Sequence, residues 1–504
     1  LGNGVSLAQL TVTPTNDALV EGNETVGVTV TAGTNYNIDT QSSDSGTIDD
    51  NDTATLEIAA TPSIKEEDGT QTVSVTLRTS DGASGTATLA PGVTLTADVV
   101  DAASGSAISG TDYGALPTQM VTFSVGDGNG ATSTIDITPT NDALIEGNET
   151  IGLTLQNLSS TLDGRASLGN TSSSVTIDDN DTATIAIGAT STVTEEGGAQ
   201  SIAVTLTTSD GNTGTATLAP GVTLTADVVD ATTGSAASGT DFSALSTQTV
   251  TFNAGATDST QNVTVSTIND TLVEGNETVN LTLQNLNSTV DGQAALGNTA
   301  GVVTIADNDT ATISIAANTD VMEEGGTQNV AVTLTTSDGG SGPATLATTL
   351  TADVVDAGGG TATSGMDYTA PGTQTVTFNV GAGDGTVDNI SIAVTSDTGL
   401  EADETINLEL QNLNTDLNGQ ASLGTTSGTV TIADNDTPRV SLTASTATAD
   451  EASGTLVFDF ARVAGDQNTA LVVNFVLTGT ADLADDYTAS GTGVTYNSAD
   501  GTGT

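Results

Sequence analysis

The sequence predicts an all-β fold in which two-sheet sandwiches are repeated in tandem. Strand-forming Thr and Val are abundant, and the 57 Gly, with many Asn and Asp, favour turns. Residues 53–181 contain seven segments that alternate apolar and polar residues between Gly-rich turns: TATLEIA, QTVSVTL, GVTLTADV, QMVTFSV, TSTIDIT, ETIGLTL and SSSVTID. Seven strands per repeat are typical of a two-sheet sandwich.

Two motifs recur along the chain with a period of about one domain. The first motif is NDALVEGNET at 16–25, NDALIEGNET at 141–150, NDTLVEGNET at 269–278 and SDTGLEADET at 396–405. The second is TIDDNDT at 47–53 and 176–182, and TIADNDT at 304–310 and 431–437. The repeating unit is therefore a whole domain, not one turn of a solenoid.

The second motif marks the module boundaries. These boundaries divide the chain into a C-terminal half-module 1–52, whole modules 53–181, 182–309 and 310–436, and an N-terminal half-module 437–504. Each NDT runs directly into the next strand without a Gly/Ser-rich or Pro-rich linker. We therefore expect neighbouring modules to abut and form an extended, stiff rod.

The two ends of the chain match in module coordinates. GNG at 2–4 corresponds to GNG at 128–130, and the segment 494–504 corresponds to 121–131. Two interpretations stay open. Residues 437–504 of one chain could complete residues 1–52 of an identical chain, head to tail, in a self-assembling fibre. Alternatively, the 504 residues are a window of a longer polypeptide.

Charge and composition restrict the kinds of partner that the chain can bind. The chain has 63 Asp and Glu but 5 Lys and Arg, a formal charge of -58 that would repel nucleic acid and anionic membranes. This charge opposes compaction unless cations neutralise it. Cys and His are both absent, so the available ligands are oxygens, which suit hard cations such as Ca²⁺. The sequence has no run of 18 apolar residues of the kind that would predict membrane insertion. Any export signal would lie outside this sequence.

Acidic residues cluster at the ends of predicted strands. In 53–181 these clusters are Glu66 and Glu67; Asp112; Asp142, Glu146 and Glu149; and Asp178, Asp179 and Asp181. Calcium sites use six to eight oxygen ligands, several of them carboxylates. One module therefore carries enough carboxylates for more than one ion.

These motifs together resemble the Calx-β domain. The resemblance rests on an acidic pair before strand two, a GTDY-like turn, D-x-L-x-E-G-N-E-T and a terminal D-N-D, in that order in successive modules. It implies an immunoglobulin-like sandwich that binds calcium at the pole where its C-terminus meets the next module. Members of the family serve as sodium–calcium exchanger sensors, in cell-surface receptors and in large secreted or surface-attached bacterial proteins.

The resemblance also implies a ligand set for each module. In the first whole module the ligands are Glu67, Asp112, Asp142, Glu146, Glu149, Asp179 and Asp181, with Glu66 and Asp178 as additional candidates. The second has Glu196, Asp241, Asp270, Glu274, Glu277, Asp307 and Asp309, and the third has Glu324, Asp367, Asp397, Glu401, Glu404, Asp434 and Asp436. The half-modules offer Asp17, Glu21, Glu24, Asp50 and Asp52, and Glu451 and Asp486.

Three positions depart from the pattern. Ala306 replaces an acid, which predicts fewer ions in the second module, and Gly399 and Ala402 predict a distorted loop in the third. The SDG turns at 209–211 and 337–339 are interpreted as hairpin turns only.

An enzyme is not expected. Paired carboxylates could indicate a glycoside hydrolase, but Trp is absent and the same acids recur in every module. No Gly-x-Ser-x-Gly, P-loop or zinc-helix motif is present. We expect a calcium-rigidified extracellular or cell-surface stalk of an adhesin or filament, whose adhesion target the sequence does not identify. The alternatives are a regulatory calcium sensor and a carbohydrate- or protein-binding module.

Overall fold

The computed structural model describes residues 1, 4–60, 63–83, 85–290, 292–340, 342–464, 471–481, 485–491, 496–497 and 502–503. Within them the regular structure is β-strand, apart from two single-turn 3₁₀ helices at Glu195–Gly197 and Glu323–Gly325. The all-β prediction is confirmed. Most of segment 494–504, matched above to 121–131, lies outside the described residues.

The strands follow the repeat. The half-module 1–52 contains β1 (Leu19–Val20), β2 (Glu24–Thr29) and β3 (Ser43–Ile48). The first whole module contains β4 (Thr53–Ile58), β5 (Ile64–Lys65), β6 (Gln71–Ser80), β7 (Thr88–Leu89), β8 (Leu95–Asp101), β9 (Gln119–Phe123), β10 (Thr132–Ile137), β11 (Leu144–Ile145), β12 (Glu149–Ser160), β13 (Ala166–Leu168) and β14 (Ser172–Asp178).

The second and third whole modules repeat this order. The second contains β15 (Thr182–Ile187), β16 (Thr190–Thr194), β17 (Ala199–Ser209), β18 (Thr217–Leu218), β19 (Thr223–Asp230), β20 (Gln248–Asn253), β21 (Ser259–Ser266), β22 (Leu272–Val273), β23 (Glu277–Ser288), β24 (Ala294–Leu296) and β25 (Ala300–Ala306). The third contains β26 (Thr310–Ile315), β27 (Asn318–Met322), β28 (Thr327–Ser337), β29 (Thr345–Leu346), β30 (Leu350–Asp356), β31 (Tyr368–Thr369), β32 (Gln374–Phe378), β33 (Val387–Val394), β34 (Glu404–Asn414), β35 (Ala421–Leu423) and β36 (Ser427–Ala433). The C-terminal half-module contains β37 (Arg439–Thr446), β38 (Val457–Ala464), β39 (Phe475–Val476), β40 (Tyr496–Asn497) and β41 (Thr502–Gly503).

Each whole module is a two-sheet sandwich. In the first, one sheet has the strand order β10-β6-β4-β13 and the other β5-β14-β12-β8-β9. The second module repeats these orders, and the third adds β31 to the edge of its first sheet. The seven predicted strands are the long members of these sheets, and the additional strands are short segments of two to five residues.

The cores are built by the alternation that the sequence displays. In β4, Ala54, Leu56 and Ile58 are buried, while the residues between them face outward. Each whole module has its own cluster of buried apolar side chains, and Tyr113 is part of the first. The inward face of each sheet thus supplies the apolar burial that drives folding.

Each core also contains one side chain from the preceding module. Ile145 is 0% exposed and belongs to the core of the second module, as Val20 and Val273 belong to the cores of the first and third. The backbone is paired as well, because β11 lies parallel to β18 with Ile145 opposite Leu218. Strand pairs β1 with β7 and β22 with β29 have the same register. The modules therefore interlock, and a segment of each completes the next.

Candidate metal centre

The sheet registers bring the acidic segments of a module to one pole. Strand β6 begins opposite the end of β10, with Gln71 facing Ile137, and β12 begins opposite the end of β14, with Glu149 facing Ile177. The acidic pair, the 142–146 loop and the closing DND therefore lie at the same end of the sandwich. This pole is the one that contacts the next module.

Two overlapping groups of carboxylates form at this pole in the first whole module. Glu66, Asp142 and Glu146 each offer an oxygen within 4.8 Å of the others, and so do Asp112, Glu146 and Glu149. Glu146 belongs to both groups. Because a carboxylate can bridge two ions with its two oxygens, the arrangement suits a pair of neighbouring calcium ions.

Backbone donors fix the shape of the ligand loop. The Leu144 N–H donates to Asp142 Oδ1 at 2.8 Å, and the Glu146 and Gly147 N–H groups both donate to Asp179 Oδ2 at 3.0 Å. The Asp181 N–H donates to Asp179 Oδ1 at 2.7 Å. Asp179 therefore holds the 142–147 loop against the DND segment before any ion binds.

The electrostatics of the cluster are unfavourable without a cation. Burial, followed by neighbouring carboxylates such as Asp142 and Asp179, raises the pKa of Glu66 to about 8 and that of Asp181 to about 7. Burial and neighbours including Asp112 raise the pKa of Glu146 to about 7 and that of Glu149 to about 8. Glu66 is 5% exposed, and its Oε2 is buried without a hydrogen-bond partner. Buried acceptor oxygens of this kind fit an oxygen-liganded cation.

The second whole module repeats the centre. Asp241, Asp270 and Glu274 form a group within 4.8 Å. Burial is the largest cause of raised pKa values for Glu195 and Glu274, both to about 7, and for Glu277, to about 8. This group forms although Ala306 replaces the acid that corresponds to Asp178. The equivalent Asp178 Oδ1 accepts a hydrogen bond from Asn148 Nδ2 at 3.1 Å, so its position supports the loop.

The third module has two groups at its pole, one of Asp367, Asp397 and Glu401 and one of Glu323, Asp434 and Asp436. The first is more open than in the other modules, because Asp397 and Glu401 are exposed. The Gly399 N–H donates to Asp397 Oδ1 and the Glu401 N–H to Asp434 Oδ2, so the loop keeps its carboxylate anchors despite Gly399 and Ala402. Burial, then Asp367, raises the pKa of Glu404 to about 7.

The acidic pair is placed differently from the sequence expectation. The first glutamate of each pair, Glu66, Glu195 or Glu323, is buried at the pole. The second is exposed: Glu67 forms an ion pair with Lys65 at 3.6 Å, and Glu196 and Glu324 face outward. Sequence reasoning missed Glu195 and Glu323. The alternation of strands could have found them, since each lies two residues after a buried apolar residue, as Glu66 follows Ile64.

The half-modules hold the remaining candidates. Asp17 and Asp50 accept hydrogen bonds from the N–H groups of Leu19 and Glu21, at 3.0 and 2.9 Å, and Asp52 is buried. Glu24 begins β2, and Glu451 and Asp486 lie in exposed turns. Within the described part of the two half-modules, no group of three carboxylates lies close enough to hold a metal.

The fold and this pole together define a class: tandem immunoglobulin-like modules with a carboxylate centre at the C-terminal pole of each whole module. The family model of the Calx-beta domain matches residues 49–181, 178–309, 307–436 and 433–502. The chain belongs to the Calx-beta domain family.

Two solved structures match parts of this chain. The apo form of the Calx CBD1 domain matches with 22% identity and a TM-score of 0.21, covering 25% of this chain and 99% of that one. CBD12 from CALX1.2 matches with 18% identity and a TM-score of 0.22, covering 49% and 100%. Among curated proteins, none matches this chain significantly. In the described residues, no helix has the length and apolar character needed to cross a bilayer.

Proposed function

We propose that this chain is a calcium-binding structural repeat protein in which ions at each junction lock one module to the next. In this proposal it is the extracellular stalk of an adhesin or surface filament and has no catalytic activity. Recurrence of the same carboxylates in successive modules supports a repeated structural role over a single active site. Family membership supports calcium as the ion.

One observation carries the proposal. The loop that supplies Asp142 and Glu146 to the centre also supplies Leu144 and Ile145 to the next module. The Thr217 N–H donates to the Ala143 carbonyl at 2.8 Å, and the Ala219 N–H donates to the Ile145 carbonyl at 3.1 Å. An ion that fixes the positions of Asp142 and Glu146 therefore also fixes the strand between them. Calcium binding and module docking share one short segment.

Polar contacts across the junction recur with the repeat. Arg165 Nη2 donates to Asn23 Oδ1 at 3.1 Å, and at the equivalent positions Gln293 Nε2 donates to Asn148 Oδ1 at 2.8 Å and Gln420 Nε2 to the Asp307 carbonyl at 2.9 Å. These contacts hold the 161–165 turn, or its equivalent, against the ligand loop or the DND segment of the preceding module. A repeated interface of this kind suits a spacer whose modules keep a fixed relative orientation.

A calcium-rich exterior sets the affinity that such a stalk needs. Extracellular modules bind calcium with dissociation constants on the order of 10⁻⁴ to 10⁻³ M. A ligand that binds the folded chain alone raises its stability in proportion to the logarithm of its concentration. Calcium should therefore raise the melting temperature of the chain, and a chelator should lower it.

The test is a calcium titration of the wild-type chain and a Glu146→Gln/Glu149→Gln variant, followed by thermal melts. The variant should lose ions and a large part of the calcium-induced rise in melting temperature. A matched control, Glu57→Gln/Asp98→Asn, removes two charges from mid-sandwich positions of the same module, opposite Thr76 and Gln156, and should behave as wild type. Melting curves of the wild-type chain that are unchanged by a chelator would refute the proposal.

A further inference from the structure

Two aspartates face each other at both junctions between whole modules. In the second module, the antiparallel pairing of β15 with β17 places Thr182 opposite Ser209. One step further along this register, Asp181 of the DND segment lies opposite Asp210 of the SDG turn. The same step from the pair Thr310 and Ser337 places Asp309 opposite Asp338. Directly opposed residues of an antiparallel pair lie on one face with their Cβ atoms about 5 Å apart, where like charges are destabilising.

The first member of each pair is buried without a partner. Asp181 and Asp309 are both 0% exposed, and neither carboxylate oxygen of either residue has a hydrogen-bond partner. The amide Oδ1 atoms of Asn180 and Asn308, one residue earlier, are buried and unpartnered as well. An unpaired buried carboxylate is costly, so these oxygens are arranged for a group that the chain does not supply.

In the first module, Lys65 pairs with Glu67, Arg78 pairs with Glu57, and Arg165 contacts Asn23 at the opposite pole. The second and third modules offer no basic side chain at all, because the sequence from 182 to 436 contains neither Lys nor Arg. The countercharge must therefore come from solution, and a divalent cation coordinated by oxygen is the species that fits.

Hydrogen bonds within the SDG turn fix the position of the second aspartate of each pair. Asp210 Oδ1 accepts the N–H groups of Asn212 and Gly214 at 2.9 and 2.8 Å, which fixes the turn and leaves Oδ2 for a cation. Asn180 Nδ2 donates to the Asp210 carbonyl at 3.4 Å and so ties the turn to the DND segment. In the third module, Asp338 and Asn308 make the corresponding contacts.

We propose that Asp210 and Asp338 of the SDG turns are calcium ligands which, together with Asp181 and Asp309, extend the carboxylate centres around Glu146 and Glu274 to the following module. The second ligand comes from the SDG turn of the following module, so the ion bridges the two modules. The inference rests on the proposed calcium function of the junctions. It also revises the interpretation of the SDG turns as hairpin turns only.

The test is Asp210→Asn, because asparagine keeps the Oδ1 acceptor that shapes the turn and removes only the charge. Bound calcium is counted by equilibrium dialysis of the full chain with ⁴⁵Ca. The variant should bind one ion fewer per chain than wild type and show a smaller calcium-induced rise in melting temperature. In chelator it should melt at or above the wild-type temperature, because the repulsion between Asp181 and Asp210 is removed.

A matched control tests whether the effect is specific to the charge at Asp210 or follows from removing any turn aspartate of this module. Asp230 also accepts a backbone N–H, from Thr232 at 2.8 Å, in another turn of the same module. Asp230→Asn should bind as many ions as wild type. If wild type binds calcium and Asp210→Asn binds the same number, the bridging site is refuted while the proposed function stands. If wild type binds no calcium, both fail.

Discussion

Truncating Ile145 should destabilise the module that follows it, not the module that contains it. Ile145 lies in the sequence of the first whole module, yet its side chain is fully buried in the core of the second. Replacing a buried Ile with Ala costs about 2–5 kcal/mol. For a domain of this size, 1 kcal/mol corresponds to roughly 4 °C in melting temperature, so the second module should melt about 8–20 °C lower.

The assay is hydrogen exchange followed by mass spectrometry on wild type and Ile145→Ala, because peptides from each module report separately. Protection should fall in β15, β17 and β19 and stay near wild type in β4 and β6. Ile145→Val should cost far less, since Val20 and Val273 fill the equivalent positions in the other cores.

Substitutions of two other isoleucines serve as controls for this experiment. Ile151 is buried in the core of the first module, so Ile151→Ala should reduce protection there instead. Ile108 is 62% exposed, and Ile108→Ala should leave both modules near wild type. If Ile145→Ala reduces protection in the first module and leaves the second unchanged, the interlocked architecture is wrong.

Three other predictions follow from the centre. The pKa of Glu66 is raised from 4.5 to about 8, so between these pH values the folded chain binds more protons than the unfolded chain. Without calcium, the free energy of unfolding should therefore fall as pH rises from 4.5 to about 8. Urea titrations should show this fall, and calcium, which favours the ionised carboxylates, should flatten it. Glu66→Gln should reduce the calcium-induced rise in melting temperature, whereas Glu67→Gln should not; equal effects would contradict the placement of this pair. Gly211→Ala should lower the melting temperature by a few degrees, since Gly211 has φ +73° and an added Cβ would lie 2.5 Å from Asn180 Nδ2.

The strands and the repeat were predictable because local pattern determines them. Alternating burial fixes the faces of β4 and β6, and the carboxylate motifs fall at strand ends. The choice between Glu66 and Glu67 was also within reach, since Ile64 and Glu66 share a face. Family resemblance alone does not separate two adjacent acids, so both remain candidates on sequence and only Glu66 is buried at the pole.

The contacts between modules could not be predicted in the same way. Leu144 and Ile145 form a strand of only two residues, and pairing with Thr217 and Leu218 depends on how the modules meet. The opposition of Asp181 and Asp210 likewise requires the register of β15 and β17, which the motif itself does not encode. Local sequence thus predicts the candidate ligands, whereas the registers show that these residues lie at the junction.

The most direct test of calcium-locked junctions is the distance distribution between spin labels on adjacent modules. Thr122→Cys and Thr251→Cys place labels at equivalent exposed positions of the first and second modules, and the absence of native cysteine makes labelling specific. Double electron–electron resonance should give a narrow distribution of label-to-label distances in calcium and a broader one in chelator. A distribution of equal width in both conditions would contradict the claim that calcium fixes one module to the next.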